Sequence, residues 1–209
     1  MEQAIAEWCA FDLSDTTPGE YLHHGSVIGE YSLSSDAVLP TFDYWMIPPP
    51  YIQQIPKAEQ EDFTRLTYTI GGMIVFPARQ IDRKQTINQA RGTNRTKIGD
   101  RFDLTLECIR LHYLGEGLTF PLAATLARYS DFFALFGDFR GYINSFLLQD
   151  LVSDDCLTVK YFTPFANFTT PAVPRTLDEY MGYRRRTVEF VDLRNRRIAA
   201  SRDGQHALG

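Results

Sequence analysis

Three polar residues near the middle of the chain have the types and spacing of an acid–base or metal site. Asp103, Glu107 and Arg110 follow one another at intervals of four and three positions, which places them on one helical face. Paired carboxylates at this spacing can hold a divalent cation or divide the acid and base roles. The alternative is an ordinary surface arrangement in which Glu107 and Arg110 form an ion pair and Asp103 favours the helix dipole.

A second set of candidates lies in the Arg/Asn-rich segment 86–101, which the composition predicts to be a loop. Guanidinium forks, side-chain amides and backbone N–H groups are the donors that a phosphate or carboxylate requires. We therefore expect the segment to bind an anionic ligand, a nucleotide or RNA. The expected ligand-binding residues are Asn88, Arg91, Asn94, Arg95, Arg101 and Arg110.

If the protein is an enzyme, these residues point to metal-assisted phosphodiester cleavage, with Asp103 and Glu107 as the catalytic pair. A divalent cation is the cofactor that this reaction implies. The alternative is a solvated loop whose arginines pair with the protein's own carboxylates.

Positive charge is concentrated in two stretches of an otherwise acidic chain. Residues Arg79 to Arg110 contain eight Lys/Arg and four Asp/Glu, and Arg184 to Arg197 contain six and two, whereas the whole chain has a net charge of −5. This pattern favours a local anion-binding surface over tight, non-specific duplex binding. The rival hypothesis is a non-enzymatic interaction module whose Arg clusters contact an acidic protein or a second copy, so a homo-oligomer is an open prediction.

Two further features have both structural and functional interpretations. Arg184 and Asn195 fall within the apolar stripe of the last predicted helix, so Arg184 requires either a ligand or an acid as partner, and the available acids are Asp131, Asp138 and Asp150. The segment Leu22–Ser26 contains adjacent histidines, which can bind a metal. It is also similar to the nicotinamide-site motif of ADP-ribosyltransferases, a remote alternative for the function.

Composition predicts a globular domain spanning residues 1–209, with mobile ends at 1–20 and 199–209. Hydrophobic residues make up 44% of the chain and charged residues 22%, and the three cysteines are scattered, which is typical of free thiols in the cytosol. Charged and polar residues interrupt the most apolar stretch, Phe132 to Val152, so no membrane span is expected. A cytoplasmic protein is the simplest interpretation.

The periodicity predicts an α+β fold in which a predominantly helical C-terminal half, about 100–198, packs on a small, mainly antiparallel sheet. Strands are expected at Glu30–Ser34 and Thr67–Phe76, because these segments alternate in polarity or are rich in β-branched residues. Helices are expected at Ala58–Arg65, Asp100–Gly115, Pro121–Gly137, Asp138–Val152 and Thr176–Ile198.

Several strings of the chain together resemble a bacterial family of unknown function. They are Thr69–Pro77, Thr86–Asn88 with Ala90–Gly92, Asp100–Arg110, and Phe132–Tyr142. The resemblance covers about Tyr21 to Arg197. It implies a bacterial cytoplasmic protein and supplies no catalytic residues.

Overall fold

The computed structural model describes residues 22–25, 27–43, 48–115 and 119–206, with the side chains of 22–25 and 202–206 left out. Within these ranges the chain forms a three-stranded antiparallel sheet and seven α-helices, so the predicted α+β class is confirmed. The predictions for residues 1–20 and Cys9 concern residues outside the described ranges.

The sheet contains β1 (Leu22–Gly25), β2 (Glu30–Ala37) and β3 (Met73–Pro77) in that spatial order. Strand β3 begins later than Thr67 because helix α1 extends to that residue and a 3-10 turn occupies Ile70–Gly72. Gly71 allows a close backbone approach, because a Cβ on this residue would lie 2.6 Å from the Val191 carbonyl oxygen.

Most helices follow the predicted order. They are α1 (Lys57–Thr67), α2 (Ile87–Thr93), α3 (Phe102–Leu114), α4 (Ala123–Arg128), α5 (Ser130–Ala134), α6 (Phe139–Ser145) and α7 (Leu177–His206). Asp138, where the predicted helix begins, caps α6 by accepting the Gly141 N–H at 2.7 Å. Helix α7 continues beyond Ile198, the predicted end, to His206.

Helix α2 corrects the prediction of a loop in the Arg/Asn-rich segment. The Thr86 hydroxyl accepts the Gln89 N–H at 3.3 Å, and the Gln89 side chain accepts the Thr86 N–H at 3.1 Å. This reciprocal capping box starts a helix where composition alone predicts irregular structure. Because a helix presents its residues on different faces, the polar side chains of this segment do not all point the same way.

Helix α3 lies inside the protein. Every residue from Phe102 to Ile109 is buried, so the helix packs against the rest of the protein on more than one side. The buried hydrophobic side chains form one cluster that joins β3, α3 and α7. In the described part of the chain, no helix combines the length and apolar character that crossing a membrane requires.

Candidate functional site

At the start of α3, the predicted catalytic residue Asp103 forms a buried ion pair with Arg101. Both side chains are 1% exposed or less. The Asp103 carboxylate also accepts the Phe162 N–H at 2.9 Å, and Arg101 donates to Thr163 Oγ1 at 2.6 Å and to the Ala172 carbonyl at 2.7 Å. This geometry does not fit the predicted roles, because neither group is accessible to a ligand.

Arg91 occupies a similar internal position between β2 and the start of α3. Its guanidinium is fully buried and lies 2.8 Å from the Asp36 carboxylate and 3.1 Å from the Asp100 carboxylate. It also donates to the Asp100 carbonyl at 2.6 Å. Burial raises the pKa of Asp36, although the charge of Arg91 acts in the opposite direction. The expected role of Arg91 in ligand binding is therefore corrected to a structural ion pair.

The remaining candidates around α2 have different surroundings. Asn88 is half-buried and donates to Ser34 Oγ at 3.4 Å, while Asn94 ends the helix and accepts the Lys97 N–H at 3.3 Å. Only Arg95 among them is exposed. No group of three His, Cys, Asp or Glu side chains comes together within the described ranges, so the predicted divalent cation has no set of ligands there.

Glu107 and Arg110 do line a cleft, one turn further along α3. Two Arg110 nitrogens, Nε and Nη2, donate to the two Glu107 carboxylate oxygens at 2.8 and 2.7 Å. The cleft has a volume of about 360 Å³ and lies between α3 and residues 158–168. We call it the aromatic cleft, and its principal walls are Glu107, Arg110, Leu111, Tyr161, Phe165 and Phe168.

Three aromatic rings form a continuous wall of the aromatic cleft. The ring centroids of Tyr161 and Phe165 are 4.5 Å apart, and those of Phe165 and Phe168 are 5.1 Å apart. A turn at Asn167 supports the wall, since the Asn167 side chain accepts the Thr169 N–H at 2.8 Å. The sequence does not single out these residues, because they lie in a segment without regular structure. The only signal there is the density of aromatic residues between Tyr161 and Phe168.

At the polar end of the aromatic cleft, the charges of Glu107 and Arg110 neutralise each other, while Tyr161 and Arg110 carry hydrogen-bond donors. Burial raises the pKa of Tyr161, and the negative charge of its hydrogen-bond partner Glu107 raises it further, so the phenol stays protonated. The hydrogen bond to Glu107 raises the pKa of Arg110. A guanidinium carries five N–H groups, of which Arg110 directs two at Glu107; the other three donate to no residue in the described part of the chain.

Four of the six arginines in the second cluster, on α7, form ion pairs or hydrogen bonds with other described residues. Arg184 pairs with Glu59 at 3.0 Å and lies over the Phe63 ring, so its partner is none of the three predicted acids. The fully buried arginine is Arg194, which donates to the carbonyls of Phe146, Gly71 and Met73. The helical angle thus places Arg184 more deeply in the apolar stripe than the structure does, because its guanidinium reaches the partly exposed Glu59.

The histidine pair and Asn195 are the last of the residues that the sequence singles out. The side chains of His23 and His24, and the whole of Ser26, lie outside the described part of the chain, so the ADP-ribosyltransferase-like alternative and the metal at this pair stay predictions. Asn195, placed on the apolar stripe by sequence, accepts the Gly71 N–H at 2.7 Å and donates to Thr69 Oγ1 at 2.9 Å.

Comparison with known proteins gives a family and no activity. The model of DUF6994, described as a family of unknown function, matches residues 2–198. No curated protein and no solved structure shows significant similarity to the chain.

Proposed function

We propose that this chain, which belongs to DUF6994, a family of unknown function, binds a nucleotide-like small molecule in the aromatic cleft. One observation carries the proposal: a wall of three aromatic rings stands beside an arginine with three N–H groups that have no partner among the described residues. Flat rings and a guanidinium are complementary to a ligand that combines a heteroaromatic ring with an anionic group.

The ring wall would hold the base. Phe165 and Phe168 have no polar atoms on their rings, so they favour stacking without specifying the base. Stacking of a base on an aromatic side chain contributes about 1–3 kcal/mol. The cleft volume of about 360 Å³ falls within the usual range for small-molecule sites.

Arg110 would hold the anionic group. Its pairing with Glu107 fixes the guanidinium in one orientation, and the pair together carries no net charge. A phosphate can therefore accept hydrogen bonds from a fixed guanidinium, while the positive charge of Arg110 offsets the repulsion between the phosphate and Glu107. Of the two carboxylates that were expected to act together, only Glu107 lines the aromatic cleft. The geometry thus favours binding over the two-carboxylate, metal-assisted cleavage expected from the sequence.

Calorimetric titration with AMP, adenosine and inorganic phosphate tests the proposal. We expect saturable AMP binding, weaker adenosine binding and the weakest phosphate binding. Phe168→Leu should weaken AMP and adenosine alike by about 5- to 150-fold, because it removes a stacking surface. Arg110→Lys should weaken AMP more than adenosine, because a lysine lacks the guanidinium fork.

Matched controls separate binding from folding. Arg65 pairs with Asp62 three positions away on the exposed face of α1, as Arg110 does with Glu107, but it lines no part of the aromatic cleft. Arg65→Lys should leave AMP binding unchanged. Absence of AMP binding, or AMP binding that survives both cleft substitutions in folded protein, would overturn the proposal. Salt-dependent self-association without any ligand response would instead support the rival interaction module.

A further inference from the structure

A second surface, distinct from the aromatic cleft, is strongly basic. Residues 79–97 contain six Lys/Arg and one acid, Asp82. Arg91 is the member of this set that is buried. Four of the exposed cations make up what we call the basic face: Arg79, Arg83, Lys84 and Lys97.

Hydrogen bonds hold this segment together as one surface. Gln80 donates to the Gln89 side chain at 3.0 Å, and Gln85 donates to Thr93 Oγ1 at 3.2 Å. The loop at 79–85 therefore runs alongside α2 and reaches its C-terminal end. Lys97 lies in the turn that follows, where its N–H donates to Asn94 at 3.3 Å.

The four cations of the basic face make no ion pair with any described carboxylate. Asp100, the acid nearest to the end of this segment in the sequence, is engaged by Arg91. In a chain with a net charge of −5, a set of neighbouring cations that pair with no described carboxylate leaves a local positive potential at the surface. Such a surface is complementary to a polyanion.

The turn that carries Arg83 has a backbone that favours glycine. Asp82 and Arg83 both have positive φ, 52° and 57°, and the Lys84 N–H donates to the Ile81 carbonyl at 2.9 Å. This is the pattern of a type I′ turn, whose second central position strongly favours glycine. An arginine retained in an unfavourable conformation points to a use for its side chain.

A recess beside the basic face supplies a site of a different chemical character. It has a volume of about 470 Å³ and is lined by Tyr31, Arg79, Gln80 and Tyr129, together with Glu30 and Asp82. The Tyr129 hydroxyl donates to the Arg79 carbonyl at 2.9 Å and so fixes one wall. The Asp82 carboxylate repels phosphate but can accept N–H groups from a base edge, while the tyrosine rings offer apolar surface.

We propose that the basic face binds a single-stranded nucleic acid, with phosphates on the four cations and an unstacked base in the recess. A duplex cannot place a stacked base there, and it requires a wider basic surface than this acidic chain offers. An acidic protein would satisfy the cations but leave the recess without a matching group. The inference uses none of the residues of the aromatic cleft, so it stands or fails independently of the proposed function.

Fluorescence anisotropy with a labelled single-stranded oligouridylate, measured over a range of salt concentrations, tests this inference. Each neutralised phosphate contributes a slope of about −0.7 in a plot of log affinity against log salt, so four contacts predict about 50-fold weaker binding between 50 and 200 mM salt. Lys84→Gln should reduce that change to about 20-fold. Arg65→Gln, which removes an exposed but paired cation from α1, should leave the slope unchanged.

Arg83→Gly provides a variant that cannot fail through misfolding of the turn. Glycine adopts positive φ readily, so the melting temperature should stay the same or rise while oligonucleotide affinity falls. The inference would be overturned by salt-independent binding, by no binding at low salt, or by equal affinity for a duplex of the same sequence. Tighter binding of polyglutamate than of the oligonucleotide would also overturn it and would assign the basic face to an acidic protein partner.

Discussion

The carboxylate of Asp103 accepts the backbone N–H of Phe162 at 2.9 Å, although 59 positions separate the two residues in the chain. This contact attaches the irregular segment that carries Tyr161 to helix α3. Arg101 strengthens the attachment by donating to Thr163 Oγ1 at 2.6 Å. The buried ion pair thus positions the ring wall of the aromatic cleft without touching a ligand.

Replacing Asp103 by Asn tests this positioning role. The amide has the same shape, but it leaves the Arg101 guanidinium buried without an opposing charge, and breaking such a pair costs about 3–5 kcal/mol. Urea unfolding should show a loss of this size. Asp62→Asn removes an exposed partner of Arg65 and should change stability by less than about 1 kcal/mol. Equal effects of the two substitutions would contradict a buried, structural Asp103.

Signals that act within one or two turns of chain predict the fold well here. Asp138 caps α6, and Gly115 ends α3 with φ 107°, both as the local sequence indicates. The arginines show where such reasoning stops. Arg91 meets Asp36 across 55 positions and Arg194 meets Met73 across 121, so neither partner is visible in the local pattern.

The candidate site likewise combines a contact that the local sequence predicts with contacts between distant residues that it does not. Glu107 and Arg110 are three positions apart on one helix, and their pairing was among the alternatives that the sequence allows. The ring wall depends instead on a segment without regular structure, whose position is fixed by Asp103 and Arg101. Sequence periodicity carries no information about such a segment, because it lacks a repeating backbone geometry.

Replacing Gly71 by Ala should destabilise the protein, because this glycine allows a close contact between two backbone segments. An Ala Cβ at Gly71 would lie 2.6 Å from the Val191 carbonyl oxygen, so α7 and the 3-10 turn must move apart. We expect a loss of about 1–3 kcal/mol, as for other forced repacking. Gly92→Ala is the control: its Cβ would have only Asp100 Oδ1 nearby, at 3.8 Å, and helix α2 should gain up to about 1 kcal/mol. Thermal unfolding of both variants measures the contrast.

Alkaline pH should unfold the protein through its buried tyrosines. Burial raises the pKa of Tyr142 and Tyr183 well above the ordinary value of about 10. Between the unfolded and the folded pKa values, the unfolded state binds fewer protons, so stability is lost as the pH rises above about 10. Each such tyrosine contributes a slope of about 1.4 kcal/mol per pH unit in that window.

Absorbance at the phenolate band, recorded together with far-ultraviolet circular dichroism, measures this coupling. Phenolate from the buried tyrosines should appear in the same pH transition as the loss of helix. Complete phenolate formation before any loss of helix would contradict the burial of Tyr142 and Tyr183.

Arg194 should be the least replaceable cation of α7. Its fully buried guanidinium donates to the carbonyls of Gly71 at 2.9 Å, Met73 at 2.6 Å and Phe146 at 3.1 Å, which joins α7 to β3 and to the end of α6. Burial lowers the pKa of Arg194 to about 10. A lysine cannot reach three carbonyls in the directions of a guanidinium fork, and each buried carbonyl left unsatisfied costs about 1–3 kcal/mol.

Arg194→Lys should therefore destabilise the protein by about 2–4 kcal/mol in urea unfolding. Arg196→Lys, two positions further on and exposed, should stay within about 0.5 kcal/mol of the parent protein. A small effect at Arg194 would mean that its carbonyl partners find other donors. Gly71 makes the close approach to α7 and also accepts a hydrogen bond from Arg194. The losses of stability in Arg194→Lys and Gly71→Ala should therefore be less than additive when the two substitutions are combined.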